Sequence, residues 1–368
     1  MKNNNNILFF CPLPPPLGGQ ALVSKIISEI IQPRFLINTN PKNRYLGNFI
    51  VILKCFWYFI FYKIDLVYFT CTRSKKGAIK DVILLSLCKV RKIKVINHLH
   101  GNEIMDLFTG GLMSEIILWS YKQIDTTIFV TKRQKNLMPA SLVKMKKIVI
   151  PNCYDPILNN VQRDFSITNK QIKILYISFL MKSKGIFIAL DVFRQIAKEY
   201  DNVSFHIAGE HRSHEFMHER EVKFLFEDKL KKLHKIYPQR FNYHGVVEGD
   251  KKLNLFTNSD ILVFPTFFKT ESFGLVNIEA MRTGNAIVTT NHNFLPDIVS
   301  NKEGVLVEPN NVKSTYNGVK YLLDNRDVLL KIQKHNIDHA KKLYAPEQFY
   351  NNILKLFSQF HKTKSNRF

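Results

Sequence analysis

The chain has 368 residues, of which 45% are hydrophobic and 23% charged, and this balance excludes a collagen-like or an intrinsically disordered protein. At about 150 residues per domain, the length predicts two domains. Lysine and arginine outnumber aspartate and glutamate by 53 to 30, and the resulting net charge of +23 favours an anionic partner without indicating any chemistry.

The amino-terminal segment predicts a cytosolic protein. Residues 1–6 are polar, and the apolar run 7–10 is too short for the hydrophobic part of a secretory signal peptide. The five cysteines are dispersed and have no C-x-x-C spacing, which indicates core thiols in a reducing compartment rather than a disulfide or zinc framework. They are Cys11, Cys55, Cys71, Cys88 and Cys153.

The first half of the chain alternates short apolar runs with helical patterns, which predicts a parallel α/β sheet with strands at 7–11, 66–70, 94–98, 127–130 and 148–150. The most apolar stretch, 49–62, is interrupted by Lys54. As a helix it would span about 21 Å, less than the roughly 30 Å of a hydrocarbon core, so it cannot cross a membrane as a straight helix. It is either a buried helix or, given its aromatic residues among Lys and Arg, one that lies partly in a bilayer surface.

A second series of strands is predicted at 172–177, 203–208, 241–243, 261–264, 286–289 and 304–307. The repeat of the pattern indicates two α/β domains, at 1–160 and 171–340, joined by a polar linker at 161–170. The last pattern, 346–360, predicts a terminal helix, and we expect the segment 341–368 to pack back on the first domain.

The residues with the clearest chemistry follow the strand 261–264. A loop there leads into a predicted helix start at Phe273, Gly274 and Leu275, where free backbone N–H groups and the positive end of the helix dipole favour a phosphate. Gly274 permits close approach of a ligand. Glu271 in the loop can reach sugar hydroxyls, and Glu279, farther along the helix, can accept hydrogen bonds from both hydroxyls of a ribose.

The pattern E-S-F-G-L-x-x-x-E-A-M-x-x-G from Glu271 to Gly284 resembles the E-x7-E signature of the retaining glycosyltransferases of family 4, the glycosyl transferases group 1. The resemblance implies the GT-B fold, in which two Rossmann-like domains with parallel sheets face a central cleft. The first domain would bind the acceptor and the second the nucleotide-sugar donor. Glu271 would hold the donor hexose, Glu279 the ribose and residues 273–275 the diphosphate.

Other positions match the family in the second domain. Lys184 resembles the lysine that neutralises the donor diphosphate. The family commonly has an arginine five or six residues before it, where this chain has Phe179 and Ser178, so either Lys182 compensates or the diphosphate is held less strongly. Gly209 ends a strand, and Val246 lies in a turn that resembles the lining of the nucleobase pocket.

In the first domain, Gly18 and Gly19 resemble the mobile glycine loop that closes over donor and acceptor. His100 occupies the place of a histidine that contacts the transferred sugar, whereas the side chain of His98, two residues earlier on the strand, is expected to be packed. The segment 65–81 is similar to that of enzymes that extend surface polysaccharides. Residues expected to meet an anionic acceptor or lipid head groups are Arg73, Lys75, Lys76 and Asn102.

A competing motif, His214-Glu215-Phe216-Met217-His218, fits the H-E-x-x-H zinc signature. Its flanks are charged throughout, unlike a buried catalytic helix, so we do not expect zinc hydrolysis. No strong D-x-D pattern is present, and we expect neither a cofactor nor a catalytic metal, with a basic residue and a helix dipole replacing a divalent ion.

The sequence therefore predicts a retaining, metal-independent hexosyltransferase. It would transfer a sugar from a nucleotide-sugar, with UDP favoured, to a hydroxyl of a lipid-linked surface polysaccharide such as an O-antigen, a capsule or a lipopolysaccharide. We expect the protein in the cytoplasm, associated peripherally with an anionic membrane surface, and without nucleic acid. The alternatives are a GT-B sugar epimerase or phosphorylase and a non-enzymatic protein that binds polyanions or nucleic acid.

Overall fold

The computed structural model describes residues 6–15, 18–41, 44–72, 74–101, 104–142, 144–165, 171–214 and 216–362. The chain divides into unit 1, Met1–Asn152 with Glu347–Phe368, and unit 2, Cys153–Pro346. The division follows Asn152, whereas the sequence prediction ended the first domain at residue 160. Arg163, in the predicted linker, belongs to unit 2, where its guanidinium group forms an ion pair with the Asp260 carboxylate.

Unit 1 contains a six-stranded parallel sheet in the order β2-β1-β3-β4-β5-β6. Its strands are β1 (Ile7–Cys11), β2 (Phe35–Asn38), β3 (Leu66–Phe69), β4 (Lys94–Leu99), β5 (Thr126–Phe129) and β6 (Lys146–Val149). Its helices are α1 (Gly19–Ile31), α2 (Arg44–Phe61), α3 (Lys75–Val90), α4 (Ile104–Leu107), α5 (Leu112–Tyr121) and α6 (Lys132–Asn136). The sequence prediction missed β2.

Unit 2 contains a second six-stranded parallel sheet in the order β12-β11-β10-β7-β8-β9. Its strands are β7 (Ile172–Ile177), β8 (Val203–Ala208), β9 (Phe241–Tyr243), β10 (Ile261–Phe264), β11 (Ala286–Thr290) and β12 (Gly304–Val307). Its helices are α7 (Ile186–Glu199), α8 (Glu219–Ile236), α9 (Gly249–Thr257), α10 (Leu275–Arg282), α11 (Val312–Asp324) and α12 (Arg326–Leu343). The α/β class with two parallel sheets is confirmed.

The terminal helix, α13 (Pro346–Lys362), contributes its side chains to unit 1. The ring of Phe357 is fully buried, with its centroid 6.0 Å from those of Phe9 on β1 and Tyr68 on β3. The helix therefore completes the apolar packing of the first sheet, although it follows unit 2 in the chain.

The strand order of unit 2 locates its ligand-binding edge. The chain proceeds outward from β7 to β8 and β9 on one side, and from β10 to β11 and β12 on the other. Between β10 and β7 the strand order changes direction. The loops that follow these two central strands therefore diverge and leave a crevice at the carboxyl ends of the strands. These loops, after β7 and β10, carry Lys184 and Glu271 respectively.

Within the described part of the chain, no helix combines the length and hydrophobicity of a membrane span.

Candidate active site

The loop after β7 brings Lys184 to the crevice of unit 2. Residues Lys182–Lys184 form a single 3₁₀ turn, which ends at Gly185 with φ +82°. A Cβ atom on Gly185 would lie 2.2 Å from the carbonyl oxygen of Pro265, so only glycine allows the two loops to approach this closely. As a result, Lys184 Nζ lies 2.5 Å from Glu271 Oε2.

The surroundings of this ion pair are aromatic and largely buried. Lys184 Nζ lies 4.6 Å from the ring centroid of Phe268 and 5.5 Å from that of Phe264. The hydroxyl of Tyr176 donates to the backbone oxygen of Lys184 at 3.2 Å. Burial raises the pKa of Tyr176 well above its ordinary value, and the charge of Glu271 raises it further. Tyr176 therefore remains a neutral donor that supports the lysine turn.

Hydrogen bonds hold the loops after β7 and β10 in place, one of them between the two loops and two from the side chain of Asn293 in the loop after β11. The N–H of Phe267 donates to the carbonyl of Ser183 at 2.8 Å. The side-chain amide of Asn293 donates to the carbonyls of Lys269 at 2.8 Å and Glu271 at 3.0 Å. The carboxylate and the ammonium group are thus held on a rigid frame, which is what a preorganised binding site requires.

The amino end of α10 follows directly. Gly274 precedes Leu275, the first residue of the helix, and has φ +64°. A Cβ atom there would lie 2.7 Å from Asn277 Nδ2 and 2.9 Å from Leu295 Cδ2, so both conformation and space require glycine. The first-turn N–H groups have no partner within an α-helix and carry its positive dipole end, which favours an anion.

The side chains at this turn have separate roles. Phe273 is buried, with its ring centroid 5.8 Å from that of Tyr344, so its backbone rather than its ring is available to a ligand. Asn277 is fully buried, and neither atom of its amide has a hydrogen-bond partner among the described residues. A buried amide without partners is costly, and a polar ligand at the helix start would offer it a partner.

Glu279 belongs to a second buried charge cluster. Lys252 Nζ, on α9, lies 2.6 Å from Glu279 Oε1 and 3.3 Å from Asp155 Oδ2. Burial raises the pKa of Glu279, and Lys252 only partly offsets this effect. Burial would lower the pKa of Lys252, but its two carboxylate partners outweigh burial and raise it. Lys252 therefore stays charged and orients the Glu279 carboxylate.

Gly209 joins the loops after β7, β8 and β9. It has φ +145°, and a Cβ atom would lie 1.8 Å from the carbonyl oxygen of Ser178. Its N–H donates to the carbonyl of Gly245 at 2.7 Å, and its carbonyl accepts from the Tyr243 hydroxyl at 2.9 Å. The neighbouring Val246 is exposed. This places the predicted donor-binding positions of the three loops along one edge of the sheet.

Two further cations lie on these loops. Lys182 is exposed, in contrast to the ion-paired Lys184. The guanidinium carbon of Arg212 lies 5.3 Å from the ring centroid of Phe179, and its Nη2 is 2.6 Å from Glu210 Oε2. Arg212, in the loop after β8, thus places its guanidinium group against Phe179, one of the two positions where the family commonly has an arginine.

In unit 1, His98 and His100 occupy the end of β4 and the position after it. His98 is fully buried, and its Nδ1 is 2.9 Å from the hydroxyl of Tyr68. Burial lowers its pKa to about 3. The structure therefore places His98 in the packed interior. The ring of His100, also buried, lies with its centroid 4.0 Å from that of His98.

The structure gives less support for a binding role at the other predicted positions of unit 1. Gly18 caps α1 with φ −122°, and a Cβ atom on it would meet nothing within 4 Å among the described residues, so packing does not require glycine there. Gly19 is the first residue of α1. Lys75 Nζ donates to the carbonyls of Thr109 and Gly110, at 2.6 and 3.2 Å, which gives it a structural role.

The remaining predicted acceptor or lipid residues are placed only in part. Lys76 is exposed. Arg73 and Asn102 lie outside the described residues.

The H-E-x-x-H segment does not have the geometry of a zinc helix. His214 and Met217 exchange backbone hydrogen bonds at 3.0 and 2.9 Å, which makes the segment a tight turn. Helix α8 begins only at Glu219, after His218. Because a turn does not stack residues four apart on one face, the two histidines lack the helical arrangement that the motif requires. Glu215 lies outside the described residues.

Sequence reasoning missed Lys252, Asp155, Arg212 and Asn277. A helix-borne lysine gives no local signal, because its partner Glu279 is 27 positions away in the chain. Asn277 lies inside the recognised E-x7-E pattern, and the available signal was an amide side chain three residues after Gly274.

The comparisons with known proteins agree with this geometry. The profile described as "Glycosyl transferases group 1" matches residues 159–342, which is half of the chain. The chain belongs to this family. The matched region contains Lys184, Glu271, the α10 start and Glu279.

Among curated relatives, a phosphatidylinositol N-acetylglucosaminyltransferase subunit from Arabidopsis thaliana is 25% identical over 248 residues, covering 67% of this chain and 49% of the relative. The capsular polysaccharide biosynthesis glycosyltransferase CapM from Staphylococcus aureus is 22% identical over 202 residues, covering 55% and 50%. The chain spans about half the length of the curated relatives it matches.

Among solved structures, HepE from Anabaena in complex with UDP superposes with a TM-score of 0.71 and 16% identity, covering 96% of this chain and 99% of that one. Sucrose-phosphate synthase from Thermosynechococcus elongatus gives a TM-score of 0.70 and 15% identity, covering 97% and 99%. At these identities the likeness shows the fold alone, and it confirms the GT-B class.

Proposed function

We propose that the protein is a retaining glycosyltransferase that transfers a sugar from a UDP-sugar to a hydroxyl of a lipid-linked surface polysaccharide. The observation that carries the proposal is the pairing of Lys184 and Glu271 at 2.5 Å beside the start of α10. This arrangement offers a cation and backbone N–H groups for a diphosphate, with a carboxylate for sugar hydroxyls next to them. Family membership and the UDP-bound structural neighbours support it.

In the proposed reaction, the bond between the anomeric carbon and the diphosphate oxygen breaks, and the electron pair leaves with the nucleoside diphosphate. The Lys184 ammonium group and the first-turn N–H groups of α10 stabilise this charge. The acceptor oxygen bonds to the same face of the anomeric carbon, and its proton passes to the departing phosphate oxygen. Retention and independence of metal ions belong to the proposal.

When the donor binds, the contact between Lys184 and Glu271 must open. The ammonium group then turns from the carboxylate to the diphosphate, and the carboxylate accepts hydrogen bonds from the hexose. The two groups therefore exchange one charge pair for two ligand contacts, so neither is left without a partner in the buried site. Glu279, held by Lys252, binds the ribose in this scheme.

We further propose that Arg212 supplies the second positive charge that the family usually places five or six residues before Lys184. Its position over Phe179 supports this role. Arg212→Ala should raise the KM for the donor with a smaller effect on kcat. The matched control is Arg194→Ala, because Arg194 is an exposed arginine on α7. An unchanged KM in Arg212→Ala would show that Lys184 and the helix start suffice.

The acceptor side of the proposal rests on an apolar helix face of unit 1. Helix α2 exposes a stripe with helical spacing, and α3 packs against both α2 and α5. The exposed side chains are Leu46, Phe49, Ile50, Leu53, Phe56, Trp57, Ile60 and Phe61 on α2, with Leu112, Met113, Ile116 and Trp119 on α5.

Basic residues border the apolar helix face. Lys54 on α2 is exposed, as are Lys63, Lys92 and Lys122, which follow the ends of α2, α3 and α5. Lys89 Nζ lies 4.2 Å from the ring centroid of Trp119. Apolar and aromatic side chains surrounded by lysine match the interface of an anionic bilayer. Of the two alternatives left by the sequence, this exposure favours a helix that lies in a membrane surface, where a lipid-linked acceptor would be found.

The donor part is tested by binding and turnover with a panel of nucleotide sugars. UDP and UDP-sugars should raise the thermal unfolding midpoint in proportion to their affinity, whereas GDP-sugars should not. Transfer of labelled sugar to a polyprenyl-diphosphate-linked acceptor should continue in excess chelator. Complete loss that magnesium or manganese restores would contradict metal independence, and failure of all UDP compounds to bind would contradict the donor assignment.

The membrane part can be measured through the chain's own tryptophans. The sequence has two, and both Trp57, 55% exposed, and Trp119, 47% exposed, lie on the apolar helix face. Vesicles that contain phosphatidylglycerol should shift their emission to shorter wavelength, and phosphatidylcholine vesicles should do so less. Ile60→Ser should weaken binding, whereas Leu343→Ser, an exposed leucine on α12, should not. Equal binding of both vesicle types would contradict the proposed electrostatic contribution.

A further inference from the structure

Glu303, His335 and His339 form a cluster in unit 2 that the proposed reaction does not use. His335 Nε2 lies 2.8 Å from Glu303 Oε1, and His339 Nδ1 lies 3.8 Å from the same oxygen. One possible ligand atom from each residue lies within 4.8 Å of the others. The two histidines are four residues apart on α12, so they project from one face of that helix.

The cluster lies at the edge of the sheet opposite the proposed donor site. Glu303 immediately precedes β12 and is therefore at the amino end of the parallel strands. The donor residues follow β7 and β10 at the carboxyl ends. A ligand at the cluster would therefore not touch the reacting groups.

The cluster is held in place by buried hydrogen bonds. Asn336, fully buried between the two histidines in sequence, donates to the backbone oxygens of Glu303 at 2.9 Å and Asn285 at 2.7 Å. The second carboxylate oxygen of Glu303 accepts from the N–H of Ser300 at 2.9 Å and from its hydroxyl at 2.6 Å. One oxygen of Glu303 is thus anchored, and the other is directed to the histidines. Supporting contacts of this kind orient the ligands in metal sites.

We propose that Glu303, His335 and His339 bind one divalent transition-metal ion, with zinc as the best match. Two imidazoles and one carboxylate are typical ligands of zinc, at about 2.0–2.2 Å from the ion, and small side-chain movements bring the three atoms to that spacing. The histidines are 37% and 25% exposed, so water can complete the coordination. The ion would join α12 to the start of β12 and stabilise unit 2. It has no part in sugar transfer.

The test uses the full chain after removal of metal ions by chelation. Zinc should bind with one-to-one stoichiometry and raise the thermal unfolding midpoint, whereas magnesium should not, because a hard cation prefers oxygen ligands. Cobalt should give the visible absorption bands of a low-coordinate site with nitrogen ligands. Absence of both zinc binding and the cobalt bands would overturn the proposal.

Variants locate the site. His335→Ala, His339→Ala and Glu303→Gln should each weaken zinc binding by roughly 10- to 100-fold or more, since loss of a ligand costs at least as much as loss of a supporting contact. His218→Ala, in the H-E-x-x-H turn, and His206→Ala should leave it unchanged. Retained zinc affinity in all three cluster variants, or its loss in a control, would refute the assignment. Sugar transfer should be the same with and without zinc, so this result is separable from the proposed function.

Discussion

Replacement of Lys252 by methionine should reveal how strongly unit 2 depends on the buried charge that orients Glu279. The two side chains are 17% and 9% exposed, and their charged atoms are 2.6 Å apart. Removing one partner of a buried pair leaves an uncompensated charge and costs about 3–5 kcal/mol. Lys232→Met is the matched control, because Lys232 and Asp228 are also 2.6 Å apart but are 70% and 42% exposed. For that exposed helical pair the expected cost is about 0.3–0.5 kcal/mol.

The destabilisation caused by Lys252→Met should change with pH in a definite direction. In Lys252→Met, burial raises the pKa of Glu279 without opposition, so the folded state holds a proton that the unfolded state releases at lower pH. A carboxyl group whose folded pKa is raised contributes stability below its unfolded pKa, and this contribution is lost as pH rises through the folded pKa. The destabilisation relative to the wild type should therefore be larger at pH 8 than at pH 5, changing by at most about 1.4 kcal/mol per pH unit.

The assay is urea unfolding followed by far-ultraviolet circular dichroism at several pH values. Tryptophan fluorescence in the same samples reports unit 1, because Trp57 and Trp119 both lie there. The double variant Lys252→Met/Glu279→Gln should recover part of the loss, because the more buried carboxylate is removed together with its partner and only Asp155, whose side chain is 34% exposed, loses its lysine. A destabilisation that is independent of pH, or equal to that of the Lys232→Met control, would refute the reasoning.

Three further predictions concern single residues. Lys184→Ala should lower kcat by roughly 10²–10³-fold in a transfer assay. Lys182→Ala should lower kcat by much less, because Lys182 is exposed, and equal losses would contradict the assigned roles. Gly274→Ala should cost about 1–2 kcal/mol for its left-handed backbone alone and should abolish UDP binding in calorimetry; an unchanged affinity would exclude the α10 start as the phosphate site. His98→Gln should remove an acid-sensitive loss of stability in unit 1, measured by tryptophan fluorescence. Because the pKa of His98 is about 3 when folded and 6.5 otherwise, the wild type should lose about 2.5 kcal/mol more than the variant between pH 7 and 4.5, and parallel curves would contradict this.

The sequence predicted the strands of unit 2 well because they are short, apolar and flanked by helical patterns. Five of the six predicted ranges agree with the structure to the residue, and β11 extends one residue farther, to Thr290. The missed strand of unit 1, β2, has four residues at the edge of its sheet, and one of them, Leu36, is exposed. Its apolar run has only three residues, 35–37, and shows no alternation of polar and apolar residues, so its pairing with β1 is decided by tertiary structure.

The candidate site shows a similar limit. Its loop residues, Lys184 and Glu271, could be named because a motif fixes their positions after two strands. Their contact could not, because it depends on how closely Gly185 allows the loops to approach. The same holds for Lys252, which reaches Glu279 from a different helix. Long-range ion pairs leave no pattern in one sequence, whereas strands and helix starts do.

The most direct test of the central claim is a crystal structure of the protein with UDP. We expect the diphosphate to lie over the start of α10, within hydrogen-bond distance of the backbone N–H groups of Gly274 and Leu275 and of Lys184 Nζ. The ribose should be within hydrogen-bond distance of Glu279. A diphosphate bound elsewhere, with Lys184 still paired to Glu271, would contradict the claim.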